Sequence, residues 1–304
     1  MLFFHVVMHF LNLKDLREDH IVELILNAKK LKEGKQYSKD LKGKFLGLIF
    51  EKASTRTRIS FEVAMAQLGG VASFLPIDQL QLGRGESLED TSRVISSMTD
   101  GIVLRTLSHE TIERFAAFSS VPVINGLSDL SHPCQILADL LTFEENNGEI
   151  NGHKVAWIGD FNNVCYSYVE ASSLLGFELH IASPKKFWPS DNARKKLEVT
   201  FTEDIDTAVN NSSLVTTDVW TSMGQEKEKK ERERIFKEFR VTPKTMDLAR
   251  KDAIFLHCLP AIRGQEISSD MLQDQRSKVW SQAQNRLFAQ KSLLIYLLKD
   301  HKDL

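Results

Sequence analysis

Cysteine is scarce in this 304-residue chain, and the three that occur, Cys134, Cys165 and Cys258, are odd in number and far apart. That excludes a disulfide framework, and without a C-x-x-C pair it leaves no zinc-site pattern. A reducing compartment, the cytoplasm, is the expectation. Charge of one sign is also lacking: 39 basic and 41 acidic residues give a formal net charge of −2. No overall positive field therefore draws the chain to nucleic acid or to an anionic membrane. Any anion must be held locally, by a few arginines and backbone amides. Long hydrophobic runs are missing as well. The opening MLFFHVVMHFLNL is apolar but too short to span a bilayer, has no basic segment before it and leads into a charged helix, so no secretory signal is expected. The first seven residues, ahead of a second methionine at Met8, read as a ragged extension rather than part of the fold. A G-x-G-x-x-G fingerprint is absent too, which weighs against a dinucleotide site.

What is present is an alternation. Short apolar runs at 45–50, 71–75, 101–104, 121–124, 155–158, 178–182, 214–219 and 253–256 read as strands. Amphipathic stretches at 19–31, 58–68, 110–118, 133–145 and 164–175 read as helices among them. Such alternation implies parallel sheets assembled from βαβ units. The predicted fold is α/β with two domains, each a mostly parallel sheet with helices on both faces, linked by interdomain helices. A hydrophobic content of 42% over 304 residues supplies two cores of ordinary size. The turn-like NNGEING at 146–152 marks the approach to the second domain, reached through the helix 133–145. The stretch 283–298 has helical periodicity with no strand after it and is expected to pack back onto the first domain. The expected domains are 1–133, completed by 283–304, and 134–282. The run EKEKKERER at 226–234 reads as a solvated helix face.

Each polar cluster follows a strand. Ser54-Thr55-Arg56-Thr57-Arg58 opens the helix after 45–50, where a helix offers N–H groups and the positive end of its dipole. That combination suits a phosphate. Plain N-capping accounts for one hydroxyl but not for the whole pentapeptide. His132-Pro133-Cys134-Gln135 stands at another strand-to-helix junction, with Pro133 suited to the first turn; a ligand role and a structural one are equally open there. His257-Cys258-Leu259-Pro260 follows 253–256. A nucleophilic Cys258 would need a base in reach, and a packed thiol is the commoner role. In Asp218-Val219-Trp220-Thr221-Ser222-Met223-Gly224, Asp218 suits an ammonium group and Ser222 a further polar contact, with a capped βα loop as the plainer alternative. Asp160-Phe161-Asn162-Asn163 carries the same two readings. Open parallel sheets bind ligands at the carboxyl ends of their strands, so these clusters point to transfer from a phosphorylated donor to an amine.

The motifs resemble the aspartate/ornithine carbamoyltransferase superfamily along nearly the whole chain. The matches run from FEKASTRTRISFE through DGIVLR, VPVINGLSDLSHPCQILADLLT, GDFNNV, TDVWTSMGQE and HCLPAIRG to NRLFAQK. S-T-R-T-R and H-P-x-Q are shared by the superfamily. D-x-x-x-S-M-G and H-C-L-P are similar to its ornithine branch, where an aspartate enzyme would show H-P-L-P. The resemblance implies transfer of the carbamoyl group of carbamoyl phosphate to the δ-amine of L-ornithine, in arginine biosynthesis or degradation.

Carried over by residue, Ser54, Thr55, Arg56 and Thr57 would hold the phosphate, and Thr57, Arg105 and His132 the carbamoyl oxygen, as an oxyanion hole does. Gln135 and the backbone at Cys258 and Leu259 would hold the carbamoyl nitrogen, with Arg286 completing the clamp. Gln81 matches a residue that reaches a neighbouring subunit's site, which implies a homotrimer or a multiple of trimers. Asn163, Asp218, Ser222 and the Met223 backbone would bind the α-groups of ornithine. Cys258 would then sit beside the δ-amine as a polarising group, with Asp218 influencing its proton. Arg105, His132, Cys258 and Asp218 are thus the implied catalytic residues. The resemblance implies no metal, no organic cofactor, no nucleic acid and no membrane. Two departures stand out: Ile262 replaces a histidine that many relatives carry, and WSQAQNR at 280–286 replaces F-D-Q-A-E-N-R. The alternatives are a carbamoyltransferase acting on another amine (acetylated ornithine, putrescine or aspartate), or a non-catalytic carbamoyl phosphate-binding protein.

Overall fold

The computed structural model describes residues 7–34, 37–81, 85–222 and 224–299. Residues 1–6, most of the N-terminal extension, lie outside the described residues. The chain divides into two compact units: the described residues of Met1–Leu137 with Arg286–Leu304, and Ala138–Asn285.

In the first unit the strands are β1 (Phe45–Phe50), β2 (Val71–Pro76), β3 (Gly101–Arg105) and β4 (Val123–Leu127). The helices among them are α1 (Glu18–Glu33), α2 (Thr55–Gln67), α3 (Leu88–Ser96) and α4 (His109–Ala117). Then α5 (Pro133–Asn147) carries the chain across the first unit boundary. The second unit alternates β5 (Lys154–Ile158), α6 (Asn163–Leu175), β6 (Glu178–Ala182), α7 (Asp191–Arg194), β7 (Thr200–Thr202) and α8 (Ile205–Val209). It continues with β8 (Leu214–Thr217), α9 (Lys229–Ile235), α10 (Pro243–Met246) and β9 (Ile254–His257). The last helix, α11 (Val279–Leu298), crosses the second boundary.

Among the described residues the first sheet has the order β2-β1-β3-β4 and the second β7-β6-β5-β8-β9. Their strand pairs all run parallel. In each sheet the strand order reverses once, at β1/β3 and at β5/β8. The connections leaving adjacent strands there diverge and open a crevice at the carboxyl ends. The residues following β1 and β3 are Ser54–Thr57 and those around Arg105; the residues following β5 and β8 are Gly159–Asn163 and Asp218–Ser222. Topology alone therefore selects these clusters.

Most expected elements are present, and the differences have local causes. β4 begins two residues later than expected because Pro122 accepts a bond from the Ile102 N–H at 2.9 Å but has no N–H to return. α2 begins at Thr55, three residues early, because Ser54 caps it. β8 stops at Thr217, which frees Asp218 from the ladder. The three-residue edge strand β7 was not expected; its sequence, TFT, is too short to show a period.

The return of α11 to the first unit is visible in three contacts. Leu298 packs where a Cβ on Gly101 would lie, 2.8 Å away. The Lys299 ammonium pairs with Asp40 at 2.9 Å, and the Tyr296 hydroxyl meets His20 Nδ1 at 3.0 Å. Leu46 closes the other side of Gly101 at 3.3 Å. Gly101→Val should accordingly cost roughly 1–3 kcal/mol through overpacking. Urea denaturation measures this, and an unchanged midpoint would disprove the packing.

Candidate active site

In the first unit, α2, α5 and α11 each bring one polar group to the same point. Ser54 caps α2, its hydroxyl accepting from the Thr57 N–H at 3.4 Å. Thr57 is buried, and its hydroxyl accepts from one arm of the Arg286 guanidinium at 3.2 Å. The other arm donates to the Gln135 side-chain oxygen at 2.7 Å. Arg105 ends β3 and is 8% exposed. Glu51 ties that strand end to β1: its N–H donates to the Arg105 carbonyl at 2.8 Å. Its carboxylate accepts from the Thr106 hydroxyl at 2.7 Å and the Leu107 N–H at 2.8 Å.

His132 is 5% exposed. Burial, and then the charges of Arg286, Arg105 and Arg56, push its ring well below the usual histidine range. It is therefore neutral at pH 7, with one N–H to donate. Three guanidinium groups around a neutral ring make a field that favours an anion, in reach of a helix N-terminus. Thr55 is exposed on the first turn of α2 and Arg56 is half-buried. Arg58 stands apart from the cluster, paired with Glu62 at 2.9 Å and lying over the Phe74 ring at 3.9 Å. Cys134 is a packing residue: its thiol donates to the Asn125 carbonyl at 3.4 Å, and burial pushes it up to about 12.

The second unit builds a different site. Asn162 caps α6, its side-chain oxygen accepting from the Val164 and Cys165 N–H groups, each at 3.0 Å. That leaves its NH2 to donate to Asp218 Oδ2 at 2.7 Å and to approach the Ser222 hydroxyl at 3.5 Å. Asp218 Oδ1 accepts from the Val219 N–H at 2.8 Å and from the Cys258 thiol at 3.1 Å. Cys258 is thus a donor to a buried carboxylate. That arrangement polarises a neighbour and does not prepare a thiolate for attack.

The Cys258 loop is held by its own backbone. Leu259 lies in the left-handed region at φ 57°, a conformation that a branched residue adopts only under constraint. Its N–H donates to His257 Nδ1 at 2.9 Å, which fixes the tautomer, and Nε2–H then donates to the buried Glu266 carboxylate at 3.1 Å. Glu266 also accepts from the Ile262 N–H at 2.5 Å, while the Ile262 side chain is partly exposed. The departure at 262 therefore leaves this buried network unaltered, since the backbone supplies the contact. Asp218, His257 and Cys258 each bring one ligand-type atom within 4.8 Å of the others. Both His257 nitrogens are engaged, however, so a metal ion would first have to break a buried bond.

Comparison with known proteins matches residues 8–145 to the family model for the carbamoyl-P binding domain of aspartate/ornithine carbamoyltransferases, and residues 151–297 to that for the Asp/Orn binding domain. The chain belongs to this family. An ornithine carbamoyltransferase of Methylococcus capsulatus is 52% identical over 294 residues, covering 95% of this chain and 98% of its own. The solved ornithine carbamoyltransferase from Pyrococcus furiosus is 42% identical with a TM-score of 0.91, over 98% of this chain and 99% of its own. The anabolic enzyme from Campylobacter jejuni is 42% identical with a TM-score of 0.90, over 96% and 99%.

For a carbamoyltransferase of this family, the first unit gathers Ser54, Thr57, Arg105, His132, Gln135 and Arg286, with Arg56 close enough to act on His132. The second joins Cys258 to Asn162 through Asp218, with the Ser222 hydroxyl beside the Asn162 amide. Asn163 is the first residue of α6 and half-buried, and its side-chain oxygen accepts from the Val164 N–H at 3.0 Å. Met223 lies outside the described residues. Gln81 is exposed, and among the described residues no hydrogen bond ties it to the cluster around Arg56. Asn162 was named in the cluster after β5 but given no part in the site, and it is the residue that holds Asp218. Its signal was available, as asparagine directly before a helical run is a favoured cap.

The charge run at 226–234 needs a correction. It was expected to be a solvated face, yet Arg232 is 3% exposed. Its guanidinium pairs with buried Asp160, donates from Nε to the Trp220 carbonyl at 2.6 Å and lies 4.5 Å from the Phe187 ring centroid. It joins the loop after β5 to the loop after β8. Charge patterning could not reveal this because one cation in a run of nine charged residues looks like its neighbours. Burial pushes the Asp160 carboxyl up to about 6 against the pull of Arg232.

Two outcomes are expected. Inorganic phosphate should raise the thermal midpoint, by the equivalent of about 2.7 kcal/mol at a hundred times its Kd, and Arg286→Ala should remove the shift. A wild-type midpoint indifferent to phosphate in a fluorimetric melt would count against the anion site. Arg232→Met should lower stability by about 3–5 kcal/mol, because it strands a buried carboxylate; equilibrium unfolding reads this directly, and a loss under 1 kcal/mol would show the pair to be dispensable.

Proposed function

We propose that this protein is an ornithine carbamoyltransferase, converting carbamoyl phosphate and L-ornithine to L-citrulline and phosphate. The observation that carries the reading is the bonded set Asn162–Asp218–Cys258 in the loops GDFNN, DVWTSMG and HCLP. A buried, oriented carboxylate beside a thiol donor suits an amine, and the first unit of the same chain carries a cationic cradle.

In this mechanism Ser54, Thr55, Arg56 and Thr57 hold the phosphate at the start of α2, with Arg286 closing the clamp. Thr57, Arg105 and the neutral His132 face the carbamoyl oxygen, where negative charge grows as the tetrahedral species forms; donors fixed beforehand stabilise that charge without reorganising. Gln135 and the Cys258–Leu259 backbone address the carbamoyl nitrogen. Asp218, Asn163, Ser222 and the Met223 backbone bind the α-groups of ornithine. The δ-amine, whose pKa starts near that of lysine at about 10.4, must attack in its neutral form. It adds to the carbamoyl carbon, the C–O bond to phosphate breaks, and the proton released from nitrogen passes to the departing phosphate. The chemistry asks mainly for orientation and fixed charge, and no step needs a cofactor.

The enzyme is further read as a homotrimer or a multiple of trimers, in the cytoplasm and in arginine metabolism. The exposure of Gln81 on its own chain supports a role in a neighbouring subunit's site. Ile59, Val71 and Met98, 52%, 57% and 74% exposed on the same unit, offer apolar surface for such contacts. No described helix is long and apolar enough to cross a membrane.

A citrulline assay with carbamoyl phosphate and a panel of ornithine, N-acetylornithine, putrescine and aspartate tests the reading. Ornithine should be preferred by at least about a hundredfold, the order that oriented polar contacts achieve. Arg56→Ala should lose most activity while keeping the fold, and Cys258→Ser should stay measurably active because the thiol forms no covalent intermediate. Preference for another amine would reassign the acceptor, and near wild-type turnover by Arg56→Ala would overturn the phosphate assignment.

A further inference from the structure

A buried network lies beneath the Asp218–Cys258 pair, and the mechanism above does not use it. Asp139 on α5 is 2% exposed. Its Oδ2 accepts from the Tyr168 hydroxyl at 2.7 Å, and its Oδ1 accepts from the Gln282 amide NH2 at 2.6 Å. The Gln282 side-chain oxygen in turn accepts from the His257 N–H at 2.9 Å, one residue before Cys258. Tyr168 lies against Trp157 of β5, with ring centroids 5.8 Å apart. β8 and β9 are paired at this point, Thr216 with Leu256 and Thr217 with His257. One buried carboxylate thus reaches His257 at the end of β9 through Gln282, with Thr217 of β8 paired beside it, and the next residues of these two strands carry the Asp218–Cys258 bond.

The chemistry of the chain of bonds is directional. Facing a carboxylate, Gln282 must present its NH2 to Asp139, which forces its oxygen toward the His257 N–H. No flipped amide satisfies both ends. We infer that Asp139, Gln282 and Tyr168 are positioning residues for the transfer: they set the ends of β8 and β9 and thereby the alignment of Cys258 with Asp218. The inference rests on the ornithine carbamoyltransferase reading only for its turnover readout.

The test is a swap. In Asp139→Asn the new side chain can keep the Gln282 NH2 on its oxygen only by turning its own NH2 to the Tyr168 oxygen, which reverses the Tyr168 bond, and in Gln282→Glu two carboxylates face each other. In the double variant Asp139→Asn/Gln282→Glu every bond can form again: Tyr168 donates to the Asn oxygen, and the new carboxylate accepts from the Asn NH2 and from the His257 N–H. Each single variant should lose kcat by about tenfold or more, with a smaller change in the KM for carbamoyl phosphate, whose phosphate is assigned to Ser54–Thr57 and Arg286 and not to the Cys258 loop. The double should recover to within about threefold of wild type.

Alkylation by iodoacetamide supplies a readout independent of turnover, since Cys134 and Cys165 are buried and Cys258 is half-exposed. Its rate should shift in each single variant and return in the double. If the single variants fail to fold, Tyr168→Phe keeps Asp139 bonded to Gln282 and should show a smaller loss of kcat in the same direction. Wild-type kcat and alkylation rate in the folded single variants, or in Tyr168→Phe, would overturn the inference. So would a folded double no better than the worse single. A wild-type protein that forms no citrulline would overturn the functional reading instead, and the alkylation rates would still decide the positioning role.

Discussion

Because each described strand pair is parallel, the strands of a sheet end on one edge and every return to the other edge must be made by a crossover, usually a helix. The rest of the chemistry depends on this directionality. Helices that follow the strands begin on the same edge, so their N-termini and the residues just past each strand collect there. The order reversals at β1/β3 and β5/β8 then choose which of those residues stand beside a crevice. Ser54–Thr57 and Arg105 are selected in one unit, Asn162 and Asp218 in the other.

The two units solve opposite electrostatic problems. The first must keep Arg56, Arg105 and Arg286 near one another despite their repulsion. It does so by tethering Arg286 to Thr57 and Gln135 and by keeping His132 neutral among them. A field of that sign favours an anion. The second unit buries carboxylates: Asp139, Asp160, Asp218 and Glu266 are each under 10% exposed. Each is supplied with donors: a tyrosine and an amide, an arginine, an asparagine and a thiol, a histidine and a backbone N–H. A buried carboxylate without such partners would take up a proton and lose its function.

Backbone geometry carries more of the site than the side-chain motifs suggest. The left-handed Leu259 is held by His257, and His257 by Glu266, so the H-C-L-P segment specifies a loop shape as well as a thiol. The Ile262 departure is accommodated for the same reason: the bond to Glu266 comes from its main chain.

By itself the sequence determined the alternation of strands and helices, the placement of each polar cluster after a strand, and the capped start of α2 with its hydroxyls and arginines. Those features are local, written in periods of two and three to four residues and in cap residues that act within one turn. The tertiary structure alone decided which distant residues are bonded. Arg232 is buried on Asp160 although its neighbours in the charge run are solvated, Asn162 orients Asp218, and Asp139, Tyr168, Gln282 and His257 share one network across more than a hundred residues of chain. No local pattern encodes such pairings, because a buried polar group is satisfied by whatever donor the folded chain brings to it.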